Sequence, residues 1–131
     1  MVILGFVERV RLEEHGGKRL LVTDLSELGP EEATTFLQQT HLTLSGLPRE
    51  RSVLSLVIVR NLRMSTVVTD EIKRVSRLNA PWIAATALVG MSAIGRVIAR
   101  GISMVTGRSF NAFGNEAEAR AWLLSSAPEA A

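Results

Sequence analysis

Residues 81–105 constrain the fold more than any other stretch of this chain. They begin with Pro81-Trp82-Ile83-Ala84-Ala85-Thr86-Ala87-Leu88-Val89, an almost wholly apolar run rich in β-branched and aromatic residues. Such a run suits a strand buried on both faces. Gly90-Met91-Ser92-Ala93-Ile94-Gly95 follows, with a glycine at each end and a serine placed to cap a helix. Ile94, Val97, Ile98, Gly101, Ile102 and Val105 then recur at the three- and four-residue spacing of one helix face. A buried strand, a tight turn and an amphipathic helix make half of a βαβ unit. The segments on either side repeat that plan.

Upstream, residues 6–12 alternate in part, His15-Gly16-Gly17 signals a turn, and residues 18–25 read as a second strand. Together they form a β-hairpin. Gly29-Pro30-Glu31-Glu32 starts a helix: proline is tolerated in the first turn, and carboxylates suit its positive end. Ala33, Phe36, Leu37, Thr40 and Leu44 share its face, and Ser45-Gly46-Leu47-Pro48 stops it. Residues 52–59 are another buried-strand run, ending at Arg60-Asn61. Ser65 and Thr66 are both suited to cap the next helix, whose apolar face is Val68, Ile72, Val75 and Leu78. Asn79-Ala80-Pro81 ends it, because a residue before proline is pushed out of the α region.

Residues 110–113 form a last short strand. Asn115 and Glu118 have capping-box spacing ahead of a helix bearing Ala119, Trp122, Leu123 and Ser126. Strands alternating with helices predict an α/β fold. Its sheet is mixed and mainly parallel, with five strands, an N-terminal β-hairpin and four helices. Residues 1–126 are expected to form one domain and residues 127–131 a frayed tail. Ligands of such sheets bind beyond the carboxyl ends of the strands. Here that rim gathers residues 24–26, 61–66 and 90–92.

Composition narrows the function. With 131 residues and 47% of them apolar, the chain has material for a core. It has no cysteine, which excludes disulfides, thiolate catalysis and sulfur-ligated zinc. No apolar run reaches the roughly 20 residues of a membrane helix. Residues 2–7 are a short apolar run broken by Gly5 with no basic residue before it, unlike a leader. A cytoplasmic location is the expectation. Charge is uneven: residues 1–50 carry a net −3, residues 51–111 a net +7 and the rest a net −2. Thirteen of the 15 basic residues are arginine, which suits bidentate contacts with carboxylate or phosphate. A solvated face explains the same pattern.

Several residues are candidates for chemistry. Ser65 and Thr66, beside Arg63, sit where a phosphate would meet free backbone N–H groups, although a plain cap uses the same residues. Gly90, Met91 and Ser92, with Arg96 beyond, form a strand-turn-helix anion site in outline. They lack the three glycines of a dinucleotide fingerprint and the lysine of a P-loop. Asp24 and Asn61 close strands and face the same rim; Asp24 there suits a ligand hydroxyl or a metal, although a lone aspartate closing a strand more often forms the turn. Neither His15 nor His41 has an acidic partner three or four residues away, and the chain has no tyrosine. No metal, no cofactor and no enzymatic activity are expected.

At these residues the chain resembles the STAS domains of the SpoIIAA-like superfamily, in the STAS and CRAL-TRIO-like branch. The resemblance runs over roughly residues 18–124. It rests on Thr23-Asp24-Leu25-Ser26-Glu27-Leu28 after a strand, and on Asn79-Ala80-Pro81-Trp82 before the buried strand with Val89-Gly90-Met91-Ser92 after it. Gly107-Arg108 ahead of Phe110, and Asn115-Glu116-Ala117-Glu118-Ala119 with Trp122-Leu123, complete it. The resemblance implies a non-enzymatic domain that regulates a partner protein, sometimes through phosphorylation, or that binds a nucleotide or lipid. In the anti-sigma-antagonist type the phosphorylated serine lies in Asp-Ser-Ser-Gly. The matching Met64-Ser65-Thr66-Val67 keeps the hydroxyls but not the aspartate or glycine.

Two functional expectations follow. One is a partner protein docked on residues 61–66 and 90–96, with Ser65 or Thr66 as the phosphorylation site. The other is a lipid-like or anionic small molecule in a crevice at that rim. Nucleic-acid binding through the basic middle ranks well below both. A homodimer through Trp82 and the edge of the last strand is a further expectation.

Overall fold

A computed structural model describes residues 9–63, 65–92, 97 and 109–125. The elements are β1 (Val10–His15), β2 (Lys18–Asp24), α1 (Pro30–Ser45), β3 (Val53–Ile58), α2 (Thr66–Asn79), β4 (Ile83–Val89), β5 (Ser109–Phe113) and α3 (Glu116–Ser125). The sheet order is β1-β2-β3-β4-β5. β1 pairs antiparallel with β2, and every later pairing is parallel. This is the mixed, mainly parallel five-stranded sheet expected. Three helices, not four, stand among the described residues. The helix expected over residues 94–105 lies outside them except for Val97, which is exposed. The expected tail, residues 127–131, also lies outside them.

Alternation along the strands sorts side chains onto two faces. Leu20, Val22, Leu54, Leu56, Ala85 and Ala87 point to one face, where Ala119 and Leu123 of α3 close a core. Leu21, Thr23, Ser55, Val57, Thr86 and Leu88 alternate with them and turn to the other face, which α1 and α2 cover together. Val68 and Val75 of α2 meet Ala33 and Leu37 of α1 there. Strands with helices on both sides must be apolar on both sides, hence the unbroken runs in β3 and β4.

Local signals set the helix boundaries. Ser65 takes extended backbone and its Oγ accepts the Val68 N–H at 3.2 Å, capping α2. Asn115 Oδ1 accepts the Glu118 N–H at 2.9 Å ahead of α3, while Asn115 Nδ2 donates to Glu118 Oε1 at 2.7 Å. The α2 face departs from expectation at its end. Leu78 is 41% exposed, and Ser76 and Asn79 are buried instead. Asn79 continues the stripe of Val68, Ile72 and Val75, and Leu78 lies about 100° round the helix from it. Trp82 is buried too, and its indole N–H donates to Leu47 O at 2.8 Å, so it is not a surface for a second copy.

Candidate functional site

The rim exists, and its loops are laced together. Asp24, Ile58, Val89 and Phe113 lie opposite one another in the register, so four strands end level. Beyond them Leu25 N donates to Ile58 O, Glu27 N to Arg60 O, Arg63 N to Leu28 O and Val59 N to Val89 O. Gly90 has φ +86, and its N–H donates to Phe113 O. A Cβ there would lie 2.4 Å from Arg60 Cγ and 3.2 Å from Arg60 Cα. Only glycine permits both that conformation and that approach.

Most rim candidates are occupied with structural work. Asp24 Oδ1 accepts the Ser26 N–H at 3.0 Å and the Ser26 hydroxyl at 2.6 Å, a turn closed by its own carboxylate. Asn61, at φ 54, donates from Nδ2 to Glu27 Oε2 at 2.7 Å, and Glu27 itself has φ 64. Ser65 is the cap. Arg63, Thr66 and Ser92 are exposed, and Met91 is half-buried against the α1–α2 core. Arg96 lies outside the described residues. Thus the structure brings Asp24, Asn61, Arg63, Ser65, Thr66, Gly90, Met91 and Ser92 to one end of the sheet, but it does not arrange them around a pocket.

The enclosed space lies elsewhere, between the sheet and the α1–α2 pair. β2, β3, β4 and Phe110 give its floor, and α1 and α2 its roof. Of the expected site residues only Met91 lines it. Space free of atoms amounts to about 720 Å³ with the open mouth counted, yet the centre of a water-sized sphere has only about 70 Å³ to move in. The space is therefore a narrow slot, not a bowl.

The lining chemistry is selective. Thr23, Thr40, Ser55, Ser76, Asn79 and Thr86 are the buried polar residues among those described, and all six line this slot. Among the described residues the remaining lining is hydrophobic and carries no ionisable side chain. Ser55 and Thr86 are direct cross-strand neighbours, with Leu21 beside them in the same row. Thr23 is 1% exposed, and its Oγ1 has no hydrogen-bond partner among the described residues. A buried hydroxyl without a partner costs on the order of 1–3 kcal/mol.

A second polar feature runs outward from the slot. Thr40 Oγ1 donates to Leu37 O at 2.6 Å, Asn79 Nδ2 donates to Thr40 Oγ1 at 3.1 Å, and His41 Nδ1 lies 2.9 Å from Asn79 Oδ1. Sequence reasoning found no acidic partner three or four residues from His41; its partner is the neutral Asn79, on another helix. Ser55 and Thr86 lie within runs read only as buried strands. The available signal was parity: Thr23, Ser55 and Thr86 all fall on the face opposite Val22, Leu56 and Ala87.

Away from the slot, an ion-pair cluster joins β1 to α3. Glu13 binds Arg11 at 2.9 Å, His15 at 2.8 Å and Arg120 at 2.9 Å, and Arg120 also binds Glu116 at 2.8 Å. The hydrogen bond from Arg120 above all, then that from His15, holds the Glu13 carboxyl down at about 2. The basic middle does not form one face: Arg51 precedes β3, while Arg60 and Arg63 follow it. Among the described residues no phenylalanine or tryptophan is exposed for base stacking. No group of three metal-ligating side chains, and no helix long and apolar enough to cross a membrane, occurs among them.

Comparison with known proteins defines the class. The chain is similar to an uncharacterized protein of the DUF3478 family with a SpoIIAA-like fold from Shewanella loihica PV-4. The TM-score is 0.67 at 16% identity, over 87% of this chain and 91% of that one. At that identity the likeness carries the architecture: this is a SpoIIAA-like α/β domain. No protein-family model matches the chain, and no curated protein matches it.

Proposed function

We propose that this is a non-catalytic binding domain whose ligand is a slim, uncharged, largely apolar molecule held in the slot between the sheet and α1–α2. One observation carries the reading. Every buried polar side chain among the described residues converges on a single apolar space, and Thr23 keeps an unpartnered hydroxyl there. Apolar walls with a few convergent polar groups are the general pattern of small-molecule sites. The described lining carries no charge, which favours a neutral ligand over an anionic one, since an unpaired buried charge is far costlier than a buried hydroxyl. Rim residues Val59 and Met91 line the same slot, which gives occupancy a route to the outer surface.

Thr23→Val tests this. The variant keeps the side-chain shape and removes the orphaned hydroxyl. Its ligand-free stability in urea should equal or exceed wild type by up to about 1 kcal/mol. Stabilisation of the protein by neutral amphiphiles, read as a melting-temperature shift, should shrink. If a broad panel of such amphiphiles leaves the wild-type melting temperature unmoved, the reading fails.

A second reading is favoured by Val67, an apolar side chain 64% exposed beside the exposed Thr66 and Arg63. Exposed valine flanked by a hydroxyl and a guanidinium suits a docked partner protein. With Ser65 engaged as the cap, this reading assigns phosphorylation to Thr66. Val67→Asp should remove partners captured by the wild-type chain from its host. An unchanged set of captured proteins would end this reading.

A further inference from the structure

Resting on the slot as the ligand site, the geometry points to the polar group the ligand carries: an uncharged acceptor oxygen, such as a ketone, ester or amide carbonyl, taken by the second N–H of Asn79. The direction of the side-chain hydrogen bonds leads there. Thr40 Oγ1 lies 2.6 Å from Leu37 O, a backbone oxygen that only accepts. The threonine proton is therefore spent on that carbonyl, and its oxygen must accept from Asn79. This fixes the amide with Nδ2 toward Thr40 and Oδ1 toward His41 Nδ1. An amide nitrogen carries two hydrogens. One is used on Thr40, and the other has no partner among the described residues.

Asn79 is only 6% exposed and lines the slot. A spare amide N–H in a mostly apolar space with no charge among its described lining residues asks for an acceptor. It cannot match a hydrocarbon. A carboxylate would have to shed its water without a cation among the described lining residues to receive it. Thr23 adds a second hydroxyl in the same lining.

Three probes of equal chain length test the inference on the full chain: a medium-chain methyl ketone, the n-alkane and the fatty acid anion. The ketone should bind roughly tenfold tighter than the alkane, the ratio one neutral hydrogen bond supplies, and the anion should bind more weakly than the ketone. Asn79→Leu should bring ketone and alkane to equal affinity. Because Asn79 also joins α1 to α2, that variant carries a risk of misfolding. A second readout therefore uses the wild-type protein: the Asn79 side-chain NH₂ signals in NMR should shift with ketone and stay in place with alkane. Equal ketone and alkane affinities with unmoved NH₂ signals overturn this inference while leaving the ligand site standing. Tightest binding of the anion overturns it too. No binding of any probe removes the ligand reading and this inference together.

Discussion

At the scale of single residues, the rim is built by side chains that hold backbone. Ser65 shows it most simply. Its hydroxyl satisfies the Val68 N–H, one of the amides a helix start leaves without an internal partner. Ser65→Ala should cost about 1 kcal/mol in equilibrium urea unfolding, the usual worth of such a cap. Ser65→Asp, which keeps an acceptor and adds a negative charge at the positive end of α2, should recover most of that loss. Sequence made this residue legible as a cap. Asp24 was legible as a turn former at a strand end, since its partner Ser26 is two residues on; Asn61 was legible only as a strand end, because its partner Glu27 is placed only once the loops after β2 and β3 lie side by side.

At the scale of elements, periodicity identified strands and helices, and register decided what they enclose. The apolar runs of β3 and β4 announce burial on both faces. They do not say that Ser55 and Thr86 stand next to each other. That follows from the parallel pairing of the two strands, offset by an irregularity between Val53 and Leu54 that no local pattern marks. In α2 the same limit appears at Leu78 and Asn79. Hydrophobicity favours the leucine for the interior, while the angle of the stripe favours the asparagine. The angle wins because Asn79 finds Thr40 and His41 on α1, so its amide is not buried without partners. The candidate slot therefore stayed hidden, whereas the rim that sequence singled out was visible.

At the scale of the whole molecule, Arg120 joins the last helix to the first strand through Glu13. The pairing holds the Glu13 carboxyl at about 2, below its ordinary value of 4.5. A carboxyl depressed by folding stabilises the folded state fully above its unfolded value, and loses that contribution as acid protonates the native carboxylate. The effect should be complete above about pH 4.5 and fade from there toward pH 2. Its size is on the order of 1–2 kcal/mol after allowance for the partial exposure of the cluster. Urea unfolding of Glu13→Gln against wild type across that window checks it. The two stabilities should converge as pH falls, and a constant gap would refute the assignment.

The hydrogen-bond chain on the opposite face carries another consequence. Every link from His41 to Leu37 is oriented the same way, and the imidazole enters as a giver at Nδ1. The links thus run in one direction, from the imidazole on α1 through the α2 amide and back to a backbone carbonyl of α1. The amide of Asn79 therefore cannot turn over without giving up the link to Thr40 or the one from Thr40 to Leu37, so it presents one fixed polar edge to the slot.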